Sequence, residues 1–342
     1  MLTRHSASPV LVAGQVPYPA DCVFNAGVAK LDDGYVMLFR NDFGYQRGKG
    51  FAGTNLGLAR SRDGIKWEVE PEPVITQEKI RQAWRHRFPE RLGDGEIRRV
   101  YDPRVTVVDG EILVTLAVDT RHGILGAVTR TGPDFRDYEL LSLSTPDNRN
   151  MVLFPEKIGG RFWRLERPFP VYGRYAEEAF EIWGSASPDL VHWGETRLVL
   201  GSEEVPYANS KIGPAAPPLK TDRGWLTTIH AVWKDNQKPL QAWDEVWTKT
   251  YFAGLILLDL ANPLEVIGML REPLLQPEAE YEVSGFRGGV IFPCGLLREG
   301  EDEIRMYYGA ADTVIGLATG SLEEILAAMT TDTKGSDINF AR

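Results

Sequence analysis

The sequence has few of the residues on which disulfide-rich or metal-binding proteins depend. Among 342 residues there are only two cysteines, Cys22 and Cys294, which lie far apart. They predict neither a disulfide framework nor a cysteine-based metal site. The histidines show no spacing typical of zinc sites, so we expect no metal. We also expect no organic cofactor, because the chain has no Walker loop, no Rossmann fingerprint after a strand and no Gly-x-Ser-x-Gly elbow.

Long apolar runs and an excess of positive charge are missing as well. No run of about 18 apolar residues occurs, and residues 1–6 lack the apolar core of a signal peptide. We therefore expect a soluble, cytoplasmic protein without a membrane partner. The net charge of −10 argues against nucleic acids as partners. Against this acidic background, a local cluster of arginine and lysine indicates a site for a small anion.

Short runs that are typical of β-strands dominate the chain. They are rich in β-branched and aromatic residues, are bounded by Gly, Asp or Pro, and include residues 35–40, 112–118, 225–232, 253–258 and 303–308. Two segments have a helical pattern: residues 76–85, weakly, and residues 321–329. In the second, Ser321 and Glu324 have the spacing of a capping box. The sequence therefore predicts an all-β fold with a short C-terminal helix.

A weak internal repeat indicates which all-β fold this is. Residues 61–67 (SRDGIKW) resemble residues 187–193 (SPDLVHW), and residues 134–138 (DFRDY) form a looser copy. Each has an Asp four residues before an aromatic residue, as expected for a turn that leads into a strand. A period of about 63 residues gives about five units, which predicts a five-bladed β-propeller in one domain over residues 1–342. A β-sandwich or a two-domain β protein is the alternative, because such turns are common in any all-β fold.

A carboxylate on a stiff backbone stands out in residues 100–106, Val-Tyr-Asp-Pro-Arg-Val-Thr. Pro103 fixes its own φ and lacks an N–H. It should also push Asp102 towards extended geometry, at the start of a strand pattern that begins at Val105. Such an Asp is well placed to act as a single aimed acid, although Asp before Pro often begins an ordinary turn.

Basic residues recur in similarly rigid settings. Arg149, Arg167, Lys211 and His230 lie beside Pro or Gly or at predicted strand ends. A guanidinium pairs with two phosphate oxygens at once, and lysine adds a point charge. Each residue alone is explained as a surface charge, but together they indicate a pocket for inorganic phosphate or a phosphorylated substrate. Arg47, in the glycine-rich loop 44–50, is a further candidate, with a solvated loop as the alternative.

Other polar residues suit a sugar. Asn25 lies in Phe-Asn-Ala-Gly (24–27), Arg40 ends an apolar run, and Asp312 follows an aromatic run through small residues. The Asp312 carboxylate is suited to sugar hydroxyls, and Tyr251 to the flank of a sugar ring. A simple turn at Asn25 and a sheet-edge cation at Arg40 are equally good explanations of those two residues.

With these residues the chain resembles glycoside hydrolase family 130, the β-mannoside phosphorylases. The resemblance extends from Asn25 to Asp312 and depends on several segments in order. They are residues 24–27 (FNAG), 101–106 (YDPRVT), 153–158 (LFPEKI), 211–214 (KIGP) with 216–218 (APP), 254–259 (GLILLD), 292–295 (FPCG) and 307–312 (YYGAAD). The family implies a five-bladed β-propeller. It also implies inverting phosphorolysis, in which phosphate attacks a terminal β-mannosyl unit and releases α-mannose 1-phosphate.

The resemblance also implies a role for each candidate residue. Asp102 would be the general acid, protonating the glycosidic oxygen through the mannose 3-hydroxyl. Asn25, Arg40 and Asp312 would hold the mannosyl ring. The implied phosphate pocket, with Tyr251 nearby, consists of Arg47, Arg149, Asn150, Arg167, Lys211 and His230. Inorganic phosphate would be the co-substrate, and a homo-oligomer is possible because the family often forms oligomers.

Two segments depart from the family pattern and leave the acceptor sugar and the linkage open. One is the charged insertion 76–98, and the other is the tryptophan-rich segment 232–249. Either is suited to shaping the acceptor site or an oligomer contact. A β-mannosidase that uses water and a sugar-binding propeller without catalysis are the alternative functions.

Overall fold

The computed structural model describes residues 1–88, 97–170, 179–244 and 246–329, and within them the strands form five antiparallel sheets around a common axis. The chain begins with β1 (Thr3–Arg4). Blade 1 then contains β2 (Cys22–Leu31), β3 (Gly34–Phe43), β4 (Gly53–Ser61) and β5 (Glu68–Val69). Blade 2 contains β6 (Ile97–Val108), β7 (Glu111–Thr120), β8 (Gly123–Thr131) and β9 (Tyr138–Leu143).

The remaining three blades follow in chain order. Blade 3 contains β10 (Asn148–Leu153), β11 (Phe162–Pro168), β12 (Ile182–Ser187) and β13 (Gly194–Leu200). Blade 4 contains β14 (Lys211–Pro214), β15 (Leu219–Lys220), β16 (Trp225–Lys234), β17 (Lys249–Leu258) and β18 (Val266–Met269). Blade 5 contains β19 (Ile291–Glu299), β20 (Glu303–Ala310) and β21 (Val314–Ser321), and β1 pairs with β21 to complete it. The predicted five-bladed β-propeller is confirmed, and its ring is closed by the first strand of the chain.

The first strand of each blade faces the axis of the ring. These inner strands are β2, β6, β10, β14 and β19, and each contacts inner strands of other blades. Apolar side chains fill the space between neighbouring blades; Leu38 and Val114, for example, share one buried cluster across blades 1 and 2. The inner strands therefore bring together residues that are far apart in the sequence.

The predicted repeat corresponds to one turn that recurs between the third and fourth strands of a blade. Asp63 in blade 1 and Asp189 in blade 3 each accept hydrogen bonds at 2.8–2.9 Å from the backbone N–H groups two and three residues ahead. Asp134 occupies the same turn in blade 2. Blade 4 has an equivalent turn at Asp259, which the sequence did not reveal because no aromatic residue follows four positions later.

Three helices lie outside the blades among the described residues. Helix α1 (Gln77–Arg87) is capped by the Thr76 hydroxyl and buries Ile80 and Trp84 against blade 2, so the start of the charged insertion packs on the outer strand β9. Residues 89–96 of that insertion lie outside the described residues. The short helix α2 (Glu280–Val283) was not predicted.

The predicted C-terminal helix is present as α3 (Leu322–Ala328), with the Ser321 hydroxyl accepting the N–H of Glu324 at 3.1 Å. In the described part of the chain, no helix has the length and apolarity needed to cross a membrane. Cys22 and Cys294 are buried free thiols.

Candidate active site

Polar residues at bulges of three inner strands form one part of the site. In β2, β6 and β10 the pairing register slips by one residue, so one extra residue lies on the inner strand. Each bulge contains a polar residue with positive φ: Asn25 at 48°, Asp102 at 53° and Asn150 at 57°. A bulge changes the direction of a side chain, and left-handed backbone outside glycine is a strained conformation that often marks functional positions. The three bulges thus single out Asn25, Asp102 and Asn150.

The backbone of Asp102 corrects the sequence-based expectation. Its positive φ means that it is not extended, and β6 begins at Ile97 rather than at Val105. The physical reason is the bulge, because Pro103 lies where the ladder is interrupted and no N–H is needed. Asp102 therefore lies within a long strand and is aimed by a local distortion of that strand.

Close packing between blades supports two of these regions. A Cβ atom on Gly27 would lie 2.8 Å from both the carbonyl oxygen of Pro103 and the Cα of Arg104, so only glycine allows β2 to lie against the Asp102 bulge. On the other side of the axis, a Cβ on Gly213 would lie 2.3 Å from Cε1 of His230 and 2.9 Å from Cδ of Arg167. At Gly27 and Gly213, the missing side chain leaves room for backbone and side chains of the protein itself.

One pocket at the axis collects most of the predicted residues. Nine of them line it: Asn25, Arg40, Asp102, Arg149, Asn150, Arg167, Lys211, Tyr251 and Asp312. Tyr101, Arg287 and Phe292 line it too, and sequence reasoning had assigned them no role. All three lie in the motif segments quoted above or just before them, but no sequence feature distinguished them from neighbouring residues.

Asp102 is held by donors from blade 1. The Asn25 amide donates to Oδ1 of Asp102 at 3.0 Å, and Nη1 of Arg40 donates to the same oxygen at 3.4 Å. The Arg40 guanidinium is fixed by a two-point pair with Asp42, at 2.9 and 2.6 Å, and lies over the rings of Phe24 and Tyr101. The second carboxylate of the pocket, that of Asp312, lies 3.5 Å from Nη1 of Arg287. We call Asn25, Arg40, Asp102 and Asp312 the acid side.

The two carboxyl groups of the acid side differ in pKa. Burial favours the neutral form of Asp102, but the charges of Arg40, Arg104 and Arg149 and the hydrogen bond from Asn25 together outweigh it, so the pKa of Asp102 lies below its ordinary value. For Asp312, burial dominates over the charges of Arg287 and Arg40, and its pKa is raised. In the free pocket Asp102 therefore loses its proton at a lower pH than Asp312 does.

Around the same pocket lies a group of basic residues that are buried or half-buried. Nη1 of Arg149 donates to the Tyr101 hydroxyl at 3.3 Å, and the Lys211 ammonium lies 5.0 Å from the centre of the Tyr251 ring. Nη1 of Arg167 lies 2.9 Å from Nε2 of His230. We call Arg149, Arg167, Lys211 and His230 the cation side. Within residues 1–88, 97–170, 179–244 and 246–329, none of these four forms an ion pair with a carboxylate.

Burial and the neighbouring positive charges lower pKa values on the cation side. Burial and the charge of Arg149 lower the pKa of Arg167 to about 9. Burial and the charges of Arg167 and Arg149 also move the pKa of Lys211 well below its ordinary value. The Nε atoms of Arg149 and Arg167 are buried without a hydrogen-bond partner in the described structure. Buried donors are normally paired, so this side of the pocket is suited to an anion with several acceptor oxygens.

Two predicted residues lie outside the pocket lining. His230 has no exposed surface and lies behind Arg167, with its ring 4.6 Å from that of Phe292. Burial and the charge of Arg167 lower the pKa of His230, so the ring is neutral. The Arg47 side chain is 88% exposed and lies 3.8 Å from the Asp244 carboxylate. The structure therefore brings nine of the eleven predicted residues to the pocket wall and places His230 immediately behind it, whereas Arg47 lies exposed outside the pocket lining.

Aromatic residues of the 232–249 segment lie beside the pocket. The Trp247 ring stacks on the pocket residue Tyr251 at 6.0 Å, and Arg287 lies 5.0 Å from the Trp247 ring. Trp243 lies in a cluster with Tyr45, at 4.8 Å. Segment 232–249 thus contributes to the surroundings of the pocket, whereas α1 of the other departing segment packs on an outer strand.

Comparisons with known proteins agree with this architecture. The sequence profile of a family described as β-1,4-mannooligosaccharide phosphorylase matches residues 7–331. The chain is 31% identical to β-1,2-mannobiose phosphorylase of Listeria innocua over 280 residues, which are 82% of this chain and 70% of that protein. It is 30% identical to the 1,2-β-oligomannan phosphorylase of Thermoanaerobacter sp. over 95% of this chain and 98% of that protein.

The fold comparison gives the same result. The structure of a Listeria innocua β-1,2-mannobiose phosphorylase in complex with β-1,2-mannobiose superposes with a TM-score of 0.77 and 24% identity, covering 96% of this chain and 98% of that one. The resemblance inferred from the motif segments is therefore confirmed over nearly the whole sequence, together with the predicted enzyme class. The chain belongs to glycoside hydrolase family 130.

Proposed function

We propose that this protein catalyses inverting phosphorolysis of a terminal β-mannosyl unit, producing α-mannose 1-phosphate and a free sugar. The observation that supports it most is the division of one pocket into a carboxylate with donors around it and a set of buried cations without a carboxylate partner among the described residues. An inverting hydrolase has no need of clustered cations, but it needs a second carboxylate, here Asp312, to activate water. A phosphorylase does not, since phosphate is already an anionic nucleophile that needs only binding and alignment.

In this proposal the acid side binds the sugar and protonates the leaving group. Asp102 is the general acid, and Asn25 and Arg40 hold its carboxylate while presenting their remaining donors to the mannosyl ring. Asp312 accepts hydrogen bonds from sugar hydroxyls. The proton passes from Asp102 to the glycosidic oxygen through the mannose 3-hydroxyl, as the family resemblance implies.

The cation side binds phosphate. Arg149, Arg167 and Lys211 supply the charge, and Asn150 supplies an amide from its bulge. His230 acts on phosphate through Arg167, whose guanidinium it contacts. The exposed Arg47 is not part of this pocket, and its assignment to phosphate stays a prediction from the resemblance.

Loading with phosphate explains how an ionised Asp102 becomes an acid. In the free pocket the surrounding cations keep its pKa low. A phosphate dianion on the cation side adds like charge near the carboxylate and offsets those cations, which favours the protonated form. Asp102 is thus protonated, and able to act as an acid, when phosphate is bound.

A product assay tests the proposal. The protein is incubated with β-1,2-mannobiose, β-1,4-mannobiose or β-1,4-mannosylglucose, each with and without inorganic phosphate, and mannose 1-phosphate and free mannose are quantified. We expect phosphate-dependent mannose 1-phosphate of α configuration from at least one sugar, which also identifies the linkage. Mannose released equally without phosphate would overturn the proposal in favour of a β-mannosidase, with Asp312 as the candidate base. Binding of a mannoside without turnover under any condition would leave a sugar-binding propeller.

A further inference from the structure

A further arginine lies directly behind the general-acid candidate. Arg104 is two residues after Asp102 on β6, and only 1% of its surface is exposed. Its Nη1 atom donates to the backbone carbonyl of Asp102 at 3.1 Å and to that of Pro103 at 3.0 Å. Its Nε atom donates to the carbonyl of Ala215, which follows β14 in blade 4. The guanidinium also lies 5.7 Å from the ring of Phe292 in blade 5.

These contacts supply donors to carbonyl groups that the bulge leaves without their usual partners. A bulge interrupts the ladder, so carbonyl groups at its apex lose their usual partners. Buried carbonyl groups need a donor, and a residue with positive φ persists only where its surroundings fix it. A planar guanidinium presents several donors in a rigid fork, which lets Arg104 bind the consecutive carbonyls of Asp102 and Pro103 and reach a third in blade 4.

We propose that Arg104 is a positioning residue for Asp102, holding the strained bulge so that the carboxylate keeps its aim and its charge state; the proposal rests on the general-acid role given to Asp102 above. Arg104 does not line the pocket and does not touch the substrate space. It acts through the Asp102 backbone and through the field of a buried positive charge.

The charge of Arg104 is not neutralised within the described residues. Arg104 has no ion pair there, and its Nη2 atom is buried without a partner. The charged and polar groups that face Asp102 from the packed elements are Asn25 of β2, Arg40 of β3, Arg104 of β6, Arg149 of β10, Arg167 of β11, Cys294 of β19 and Asp312 after β20. Of these, Arg104 is second only to Arg40 among the charges that hold the Asp102 pKa down. Loss of its charge should therefore move the Asp102 pKa upward.

Two substitutions separate its geometric effect from its electrostatic effect. Arg104→Lys keeps the charge but cannot span three carbonyls, so kcat should fall about tenfold while the alkaline limb of the pH–rate profile stays in place. Arg104→Met removes the charge as well, so kcat should fall about 10- to 100-fold and the alkaline limb should move to higher pH. Arg164→Lys is the matched control, because Arg164 is also only 4% exposed but pairs with Glu166 and lies over Trp193, away from the pocket. It should lower Tm without moving the pH profile.

A second measurement does not depend on turnover. The carboxyl ¹³C signal of Asp102, assigned with Asp102→Asn, is titrated in the wild-type protein, in both Arg104 variants and in Arg164→Lys. An upward shift of the Asp102 pKa in Arg104→Met, but not in the two lysine variants, supports the proposal. The proposal is overturned if the Asp102 pKa is unshifted in Arg104→Met and the activity of the Arg104 variants falls only in proportion to their folded fraction. A wild-type kcat in Arg104→Lys also overturns it. If the wild type shows no phosphorolysis, the function proposed above fails, and the titration alone decides whether Arg104 controls Asp102.

Discussion

The two sides of the pocket differ in how far the protein alone satisfies their charges. On the acid side, Asp102 accepts from Asn25 and Arg40, and Asp312 lies beside Arg287. On the cation side, Arg167 contacts a neutral His230, and Lys211 lies against aromatic rings. Burying a cation without an anion is costly, and the lowered pKa values of Arg167 and Lys211 express that cost. The difference indicates that the ligand completing the pocket is an anion on the cation side.

The largest effect is expected from removing the acid. Asp102→Asn keeps the size of the side chain but cannot donate the catalytic proton in the same way, so kcat should fall about 10²- to 10⁴-fold. Phosphate affinity should stay the same or rise, because a nearby negative charge is lost. Steady-state kinetics and phosphate titration by calorimetry measure both. Comparable losses of kcat and of phosphate binding would contradict the division of the pocket.

On the cation side, the next largest effect should appear in phosphate binding. Arg167→Met removes a charged donor whose hydrogen bond to phosphate is worth roughly 1.5–3 kcal/mol, so the KM for phosphate should rise about 10- to 100-fold. The KM for the mannoside should change little. Arg130→Met is the control, since Arg130 is partly exposed and pairs with Glu111 and Glu139 on the outside of blade 2. An effect of Arg167→Met on the sugar alone would place phosphate elsewhere.

The two close-packed glycines give a further test of the same comparison. Gly27→Ala presses on the Asp102 bulge and Gly213→Ala presses on His230 and Arg167, and each overpacked site should cost about 1–3 kcal/mol of the free energy of unfolding. Gly27→Ala should lower mainly kcat, and Gly213→Ala should raise mainly the phosphate KM. Denaturant unfolding and kinetics check this, with Gly14→Ala as the control because an added Cβ there would meet no described atom within 4 Å. Equal effects on both parameters in both variants would argue against two separate sides.

Much of the fold was predictable because it repeats. The Asp63, Asp134 and Asp189 turns gave the approximate period and therefore the number of blades. Local signals also located two helices: the pattern of residues 76–85 indicated α1 weakly, and Ser321 caps α3 as its spacing to Glu324 predicts. Local signals did not reveal α2, which is a single short turn.

The site was predictable in its members but not in its geometry. Motif residues such as Asn25 and Lys211 were found because basic and polar groups stood in rigid settings. The left-handed backbone of Asp102 was not found, because the preference imposed by Pro103 is local whereas the bulge is fixed by pairing with β7 and packing against Gly27. The hidden role inferred for Arg104 depends on contacts across three blades, which no spacing along the chain encodes.

The smallest effect expected is an uptake of protons when phosphate binds, to which the cation side and the acid side each contribute. Lys211 has a lowered pKa in the free pocket, and bound phosphate should raise it, so phosphate binding takes up protons and weakens as pH rises through that interval. Asp102, whose pKa is lowered by the charges of Arg40, Arg104 and Arg149, should take up a proton as well when phosphate binds.

Calorimetry in buffers of different ionisation enthalpy measures this uptake, which we expect to be at most about one proton for each group. Lys211→Met should remove the contribution of the cation side and Asp102→Asn that of the acid side. The stability of the phosphate-free protein should depend on pH for the same reason. Lys211 binds a proton more tightly in the unfolded chain than in the folded protein. The free energy of unfolding should therefore rise with pH between the folded pKa of Lys211 and 10.5. The titration is done at a pH where inorganic phosphate is already the dianion, so that phosphate itself releases no proton. Under that condition, proton release on phosphate binding would contradict both assignments, because neither an ionised Asp102 nor a deprotonated Lys211 can release a proton when an anion binds.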